Sequence, residues 1–273
     1  MNAVKELNYK TEGAVLSSAW LKRDVIIDFY FPACVDDWSA LCLLLINDGQ
    51  DLHTMDFVGL LAGLYAQKEI RQVLCVGITA GPDRKREYGT AAAPDYMGRG
   101  DLAGSYTKFV LEELLPYTAI RYHTKAFKEL AFAGFSLGGL SALDIVWNHP
   151  DVFSRAGIFS GSLWWRSRDQ EDPAYNDDQD RIMQQQIRNG TYRPGLKFFL
   201  QCGLMDEAND RNQNGVIDAV DDTRDLVTEL VKKGYRLGDI AYLELEDGKH
   251  DVATWKKAMP AFLKWGWGSV NVK

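Results

Sequence analysis

The sequence predicts an α/β fold, in which a mostly parallel central sheet carries helices on both faces and begins with an antiparallel N-terminal hairpin. Two observations lead to this prediction. Short, nearly continuous apolar runs alternate with longer segments of helical periodicity, which is typical of parallel strands covered by helices. No repeat, low-complexity tract or linker-like stretch divides the 273 residues. We therefore expect one domain over residues 1–273.

The elements follow in order along the chain. Alternating apolar and polar residues at 15–21 and 25–31 predict the hairpin. The sheet continues through apolar runs at residues 41–46, 73–78, 130–133, 156–159, 197–201 and 240–245. Helices are predicted at residues 56–67, 106–115, 140–148, 178–188, 222–233 and 252–265. Residues 166–194 are charged and weakly patterned, so we expect them to form a cap or a mobile insertion over a site.

Composition narrows the class of protein. Hydrophobic residues make up 46% and charged residues 25%, the ordinary mixture of a globular chain. The net charge of -7 argues against a nucleic-acid partner or an anionic membrane surface, because no basic excess is present to neutralise phosphates. The longest apolar run, residues 40–46, is far shorter than the roughly 20 residues that span a bilayer.

The N-terminal segment bears on location. It is polar and shows no signal-peptide core, which favours a cytoplasmic protein. An exported protein that had lost its leader would show the same sequence.

The most informative motif lies between the third and fourth predicted apolar strands. The run Gly134-Phe135-Ser136-Leu137-Gly138 has the pattern G-x-S-x-G, preceded by a predicted strand and followed by a predicted helix. A sharp turn of this kind holds a serine above the sheet as a nucleophile, and flanking glycines avoid collisions within the turn. The amide of Leu137 at the start of the helix can stabilise negative charge on a substrate oxygen. We predict that Ser136 is a catalytic nucleophile.

A serine needs a base, and the four histidines leave one main candidate. In this arrangement the partners follow the serine in the order acid and then histidine. His53 and His123 precede Ser136, and His149 ends the helix behind it. His250 follows the last predicted strand, at the strand end where α/β proteins build their sites.

The acid is expected just after the strand at 197–201. Asp206 is the first carboxylate beyond that strand, and Glu207 follows it and stays open as the alternative. Asp251 is better suited to capping the last helix. The second oxyanion donor is expected from a loop after an early strand, where the Asp48-Gly49 turn makes the amide of Gln50 the candidate.

Taken together, these residues resemble the putative esterase family of α/β-hydrolases, which includes enterochelin, feruloyl and acetylxylan esterases, S-formylglutathione hydrolases and mycolyltransferases. The matching stretches are residues 46–51, 84–88, 113–116, 133–139, 149–153, 160–165 and 248–255. The resemblance implies an α/β-hydrolase fold and a carboxylic-ester hydrolase. It assigns Ser136, Asp206 and His250 to the triad, and the amides of Gln50 and Leu137 to the oxyanion hole.

The resemblance also implies a cleft lined by three tryptophans, Trp164, Trp165 and Trp255, although each of them could equally be an ordinary packing residue. It does not fix the substrate, which can be a small-molecule ester or a glycan ester. The same triad would serve an acyltransferase, and a non-catalytic binding protein on a hydrolase scaffold stays open as a further alternative.

Residues 210–221 have the ligand spacing of an EF-hand calcium loop, which suggests a second site. Oxygen-bearing or backbone ligands would come from Asp210, Asn212, Asn214, Val216, Asp218 and Asp221. An aspartate in place of the usual final glutamate shortens the reach to the metal. A loop rich in Asx turns that needs no metal would have the same composition. Catalysis itself is expected to require no cofactor.

Two expectations about partners remain. Arginines 84, 86, 99, 166 and 168 would form either an anion-binding rim or scattered surface charge. A homo-oligomer is left open by the sequence.

Overall fold

The computed structural model describes residues 9–269. Eight strands form one sheet in these residues. Their bounds are β1 Tyr9–Ser18, β2 Arg23–Pro32, β3 Cys42–Asn47, β4 Val73–Ile78, β5 Glu129–Phe135, β6 Arg155–Phe159, β7 Lys197–Met205 and β8 Ile240–Lys249. They lie in the order β1-β2-β4-β3-β5-β6-β7-β8.

The sheet is antiparallel only at its N-terminal edge. β1 pairs with β2, and β2 with β4, in antiparallel register, whereas every later pair is parallel. This arrangement confirms the predicted α/β-hydrolase architecture with its antiparallel hairpin. Parallel strands place their carboxyl ends at one edge, and that edge is where a site is expected.

The helices connect the strands and cover both faces. Their bounds are α1 Gln50–Thr54, α2 Phe57–Ala66, α3 Arg84–Glu87, α4 Ala103–Lys108, α5 Leu115–Arg121, α6 Leu137–Asn148, α7 Asp177–Asp180, α8 Ile182–Asn189, α9 Asp218–Lys233 and α10 Val252–Trp267. A π-helical segment, Phe109–Leu114, joins α4 to α5, and a short 3-10 turn covers Trp38–Ala40. No helix formed by residues 9–269 combines the length and apolarity that a membrane crossing requires.

Two buried cores lie on opposite faces of the sheet, as the alternation of β3 shows. Leu43 and Leu45 belong to the core covered by α6, α8 and α9, whereas Leu44 and Ile46 belong to the core covered by α2 and α10. Every residue of β3 is buried, which explains why its sequence is a continuous apolar run.

The hairpin turn lies earlier than predicted, since the predicted strands at 15–21 and 25–31 place it at residues 22–24. β1 ends at Ser18, and the turn occupies residues 19–22 with Lys22 in the left-handed region at φ 55°. The Ser18 hydroxyl accepts a hydrogen bond from the Leu21 amide at 2.9 Å and so closes the turn. Local side-chain bonds of this kind end a strand where an alternating apolar pattern would continue it.

Residues 166–194 contain α7 and α8. A buried ion pair ties them to α9, since Arg181 Nη1 lies 2.8 Å from Asp222 Oδ1. The side chain of Gln184 is buried and donates to the Leu163 carbonyl at 3.1 Å. The predicted helix at 178–188 is present in two pieces, and a role of this segment as a cap stays a prediction.

Candidate active site

Ser136 occupies the turn between β5 and α6. Its backbone has φ 54° and ψ −122°, a region that a non-glycine residue rarely adopts. The Ser136 amide donates to the Phe159 carbonyl of β6 at 2.8 Å, which fixes the turn over the neighbouring strand. A Cβ on Gly134 would overlap the backbone of Gly138. The strand and the helix can therefore approach this closely only if position 134 is a glycine. The Leu137 amide opens α6 and therefore has no intrahelical acceptor.

The loop after β3 packs directly against this turn. Asp48 has φ 59°, and the Gly49 amide donates to the Ile78 carbonyl at 2.8 Å. A Cβ on Gly49 would lie 2.6 Å from the carbonyl carbon of Gly77, so the close approach to β4 requires glycine. The Gln50 amide opens α1 and likewise has no intrahelical acceptor. The two candidate oxyanion donors thus come from adjacent strand ends.

A buried polar network behind this loop was not identified from the sequence. Asn47 donates from Nδ2 to the Gly138 carbonyl at 2.8 Å, and the Tyr106 hydroxyl donates to Asn47 Oδ1. Arg84 forms a two-pronged ion pair with the buried Asp48 carboxylate, at 2.6 and 2.7 Å. The available signal was a polar pair, Asn47-Asp48, ending an otherwise fully apolar strand.

Asp206 and His250 directly follow neighbouring parallel strands. Met205 at the end of β7 pairs with Lys249 at the end of β8, so the next residue of each strand lies at the same edge. Both side chains line one cavity of about 280 Å³. The cavity is lined by Ser160, Gly161, Trp164, Asp206, Glu207, Ala219 and His250.

Burial controls the protonation of both groups. It raises the pKa of the Asp206 carboxyl, and the nearby Ser160 hydroxyl and His250 oppose that rise. Burial is also the largest cause that lowers the pKa of His250; Arg84 adds to the lowering, whereas Asp206 and Asp251 raise it. A neutral imidazole beside a carboxylate is the state that a general base requires.

Asp206 and His250 share one cavity, but the hydrogen bonds of a completed triad are not formed among residues 9–269. Within residues 9–269, both Asp206 oxygens are buried without a hydrogen-bond partner. The hydroxyl of Ser136 lies 3.4 Å from that of Ser162. Catalytic hydrogen bonds commonly tighten only when substrate binds.

The choice between the two candidate acids can be argued from their surroundings. Glu207 accepts a hydrogen bond from Asn209 at 3.2 Å, and burial, with smaller contributions from Asp218 and Asp222, raises the pKa of its carboxyl. Asp206 instead interacts electrostatically with His250 and has unused buried acceptors. The electrostatic interaction with His250 favours Asp206, although both carboxylates line the same cavity. Asp251 caps α10 by accepting from the Thr254 amide at 2.8 Å, as its position in the sequence predicts.

The three tryptophans have different positions. Trp164 lines the cavity with Asp206 and His250. Trp255 meets the His250 ring edge-on at 5.5 Å and donates from Nε1 to Ser160 Oγ at 3.0 Å. Trp255 is buried and is not among the residues that line the cavity, and the expectation that Trp165 lines the cleft is wrong, because its side chain is fully buried. Its ring packs against Gly89 and Gly100, where an added Cβ would lie 2.7 and 2.8 Å from the Trp165 ring.

A second cavity of about 250 Å³ adjoins the first and shares Trp164 and Glu207 with it. Arg99 and Arg166 line this second cavity, and each stacks on the Trp164 ring, at 4.9 and 5.8 Å. The five arginines considered for an anion-binding rim do not form one cluster of free charges. Arginines 84, 86, 99 and 168 each pair with an aspartate.

The loop at 210–221 brings four of the six expected calcium ligands together. Asp221 Oδ2 accepts from the side-chain amides of Asn212 and Asn214, at 3.0 and 2.7 Å. Asp210 accepts from the amides of Asn214 and Gly215, at 3.1 and 2.8 Å.

Asp218 is already engaged by Arg211, with an ion pair at 3.2 Å and a hydrogen bond from the Arg211 amide at 2.9 Å. The Val216 amide donates to Asn214 Oδ1, whereas its carbonyl would be the ligand. No cluster of three or more His, Cys, Asp or Glu side chains in residues 9–269 is arranged to hold a metal. Calcium binding therefore stays a prediction.

The strand order and the strained serine between β5 and α6 define the class of protein as α/β-hydrolase-like. A sequence model of the family described as "Putative esterase" matches residues 18–265. The chain therefore belongs to the putative esterase family.

Individual relatives are more distant. The uncharacterized protein YbbA of Bacillus subtilis is 23% identical over 141 residues, which are 50% of this chain and 56% of that protein. The enterobactin esterase of Shigella flexneri superposes with a TM-score of 0.69 at 20% identity, covering 93% of this chain and 58% of that one. The chain thus spans less than two thirds of either of these two relatives.

Other solved structures match over a larger share of their own length. A ferulic acid esterase gives a TM-score of 0.68 at 17% identity, covering 95% of this chain and 98% of the other. An IroE-like serine hydrolase from Shewanella oneidensis gives 0.67 at 17% identity, covering 93% and 79%. At these identities the likeness establishes the fold.

Proposed function

We propose that this protein hydrolyses carboxylic esters through an acyl-enzyme intermediate, with Ser136, Asp206 and His250 as the triad. The observation that carries the proposal is the strained backbone of Ser136 at the head of α6, at the sheet edge where Asp206 and His250 share a cavity. Membership of the putative esterase family supports the same activity.

The reaction begins when the Ser136 hydroxyl attacks the acyl carbon while His250 accepts its proton. Asp206 orients the imidazole and stabilises its cation. The amides of Leu137 and Gln50 stabilise the tetrahedral oxyanion. His250 then protonates the leaving alcohol, and water repeats the two steps to release the acid.

The substrate is proposed to be a small-molecule or glycan ester that enters beside Trp164. The two adjoining cavities, of about 280 and 250 Å³, accept a molecule of modest size. The scheme uses only protein groups and calls for no nucleic-acid or membrane partner.

The test is the hydrolysis of a panel of esters by the native protein, Ser136→Ala and a matched control. The panel contains p-nitrophenyl acetate and butyrate, a feruloyl ester, an acetylated xylo-oligosaccharide and a catecholate siderophore lactone. Ser154→Ala is the control, because Ser154 hydrogen-bonds the Leu130 carbonyl at the opposite end of the sheet.

We expect the control to keep its turnover and Ser136→Ala to fall to about 10³–10⁴-fold above the uncatalysed rate. Full turnover in Ser136→Ala would refute the proposal. Added alcohols that become acylated would identify acyl transfer by the same triad. A native protein that binds a panel ester without cleaving any would instead be a binding protein.

A further inference from the structure

The ion pair between Arg84 and Asp48 lies directly behind the proposed oxyanion loop. Arg84 Nε contacts Asp48 Oδ1 at 2.6 Å and Nη2 contacts Oδ2 at 2.7 Å. The Asp48 side chain is 2% exposed and that of Arg84 is 31% exposed. A two-pronged pair fixes orientation as well as distance, so the short helix α3 and the loop after β3 are held in one geometry.

Asp48 also contacts the elbow. A Cβ on Gly138 would lie 2.6 Å from Asp48 Oδ2, which places the carboxylate against the first turn of α6. Arg84 Nη2 reaches the Phe135 carbonyl at 3.5 Å. Arg84 therefore contacts both chain segments that precede the oxyanion donors, since Gln50 follows Asp48 by two residues and Leu137 follows Phe135 by two.

The Arg84 charge also acts on the proposed base. The groups that act on His250 are Asp206 at the end of β7, Asp251 in its own loop and Arg84 on α3. The two carboxylates raise the pKa of His250, and Arg84 lowers it. Arg84 is thus a cation that favours the neutral imidazole needed for proton abstraction.

We propose that Arg84 is a positioning residue, which holds the Asp48–Gln50 loop against the Ser136 elbow so that the two oxyanion amides converge. This inference rests on the proposed esterase function. Misplacing a reacting group by about 1 Å can cost about 10²-fold in rate. A loosened loop would therefore lower kcat strongly and weaken substrate binding little.

The chain offers a matched control. Arg23 forms an equally close two-pronged pair with Glu87, at 2.7 and 2.6 Å, and Glu87 belongs to the same helix α3. Glu87 is as buried as Asp48, and within residues 9–269 its carboxylate accepts hydrogen bonds from Arg23 alone. Arg23→Met therefore removes a comparable anchor of α3 without touching the oxyanion segments.

The experiment measures kcat, KM and the pH profile of p-nitrophenyl acetate hydrolysis for Arg84→Lys, Arg84→Met and Arg23→Met. We expect Arg84→Met to lower kcat about 10- to 100-fold with KM nearly unchanged. This loss in kcat is smaller than the roughly 10²–10³-fold loss that follows deletion of an oxyanion donor. The acid limb should move to higher pH, because loss of the cation raises the pKa of His250. Arg84→Lys should lower kcat yet keep the native acid limb, and Arg23→Met should lose stability only.

Equal kcat losses in Arg84→Met and Arg23→Met would overturn the inference, as would a native kcat in Arg84→Lys. If Arg84→Met does not fold, Arg84→Lys decides by its kcat. The outcomes also distinguish this inference from the proposed function. Turnover that requires Ser136 but ignores Arg84 refutes the inference alone, whereas turnover that does not require Ser136 refutes both.

Discussion

Three strained backbone positions lie at the functional edge, among the eight non-glycine residues with positive φ in residues 9–269. Asp48, Ser136 and Ser160 are non-glycine residues with positive φ, and each directly follows the carboxyl end of one of the adjacent strands β3, β5 and β6. Such conformations cost on the order of 1–3 kcal/mol each and persist only where the surroundings enforce them. Their clustering here is what a preorganised site requires.

The first residue-level prediction separates the two candidate acids. Asp206→Asn keeps the shape but removes the charge beside His250, so we expect kcat to fall about 10⁴-fold. Glu207→Gln should change kcat little, because Glu207 is bonded to Asn209 instead. Both variants are assayed on the same ester. The reverse ranking would assign the acid to Glu207.

The second residue-level prediction concerns pH. His250 must be neutral to accept the proton, and burial lowers its pKa. The acid limb of kcat/KM should therefore lie below the usual histidine value of about 6.5, with activity falling only as pH drops through the lowered pKa. A pH–rate profile checks this. A limb above 6.5 would show that Asp206 and Asp251 outweigh burial and Arg84.

At the scale of elements, the contact between β5 and α6 depends on glycine. Gly134→Ala places a Cβ inside the backbone of Gly138, so we expect a loss of about 3 kcal/mol or more in the free energy of unfolding. Gly104→Ala on α4 is the control, since no atom lies within 4 Å of its Cβ. It should stabilise the helix by up to ~1 kcal/mol. Denaturant unfolding measures the free energy of unfolding of both variants. An equal change in Gly134→Ala and Gly104→Ala would contradict the prediction.

The loop before α9 gives the second prediction at this scale. If residues 210–221 bind calcium, the ion raises the thermal midpoint of unfolding. The stabilisation free energy is about 2.7 kcal/mol when the calcium concentration is 100 times Kd. Asp210→Asn should abolish the shift, whereas Asp36→Asn, an exposed aspartate elsewhere, should keep it. Thermal unfolding with calcium, magnesium or a chelator makes the comparison. An unchanged midpoint would mean that the loop is closed by its own hydrogen bonds.

At the scale of the whole molecule, the sequence predicts the architecture well because its apolar runs are dictated by burial on both faces. β3, β4 and β5 were predictable within two residues at each end, because parallel strands leave continuous apolar runs. The mostly parallel sheet with its antiparallel hairpin followed from the same pattern, and the elbow followed from the glycines around Ser136, whereas the order of the strands across the sheet comes from the structure. The nearness of Asp206 to His250 could be expected because parallel strands end at one edge.

Other features depend on tertiary contacts that no local pattern reveals. The pairing of Arg84 with Asp48 joins residues 36 positions apart, and nothing around either one predicts the other. The burial of Trp165 follows from the close approach of Gly89 and Gly100, which its own neighbours do not indicate. The short helices α1 and α3 are too short for periodicity to predict.

The most direct test of the central claim is covalent labelling of the protein with a fluorophosphonate, followed by peptide mapping and mass spectrometry. The account predicts one phosphonate per chain on the peptide that contains Ser136, with loss of ester turnover in proportion to labelling. Labelling at another residue, or full turnover in the labelled protein, would contradict it.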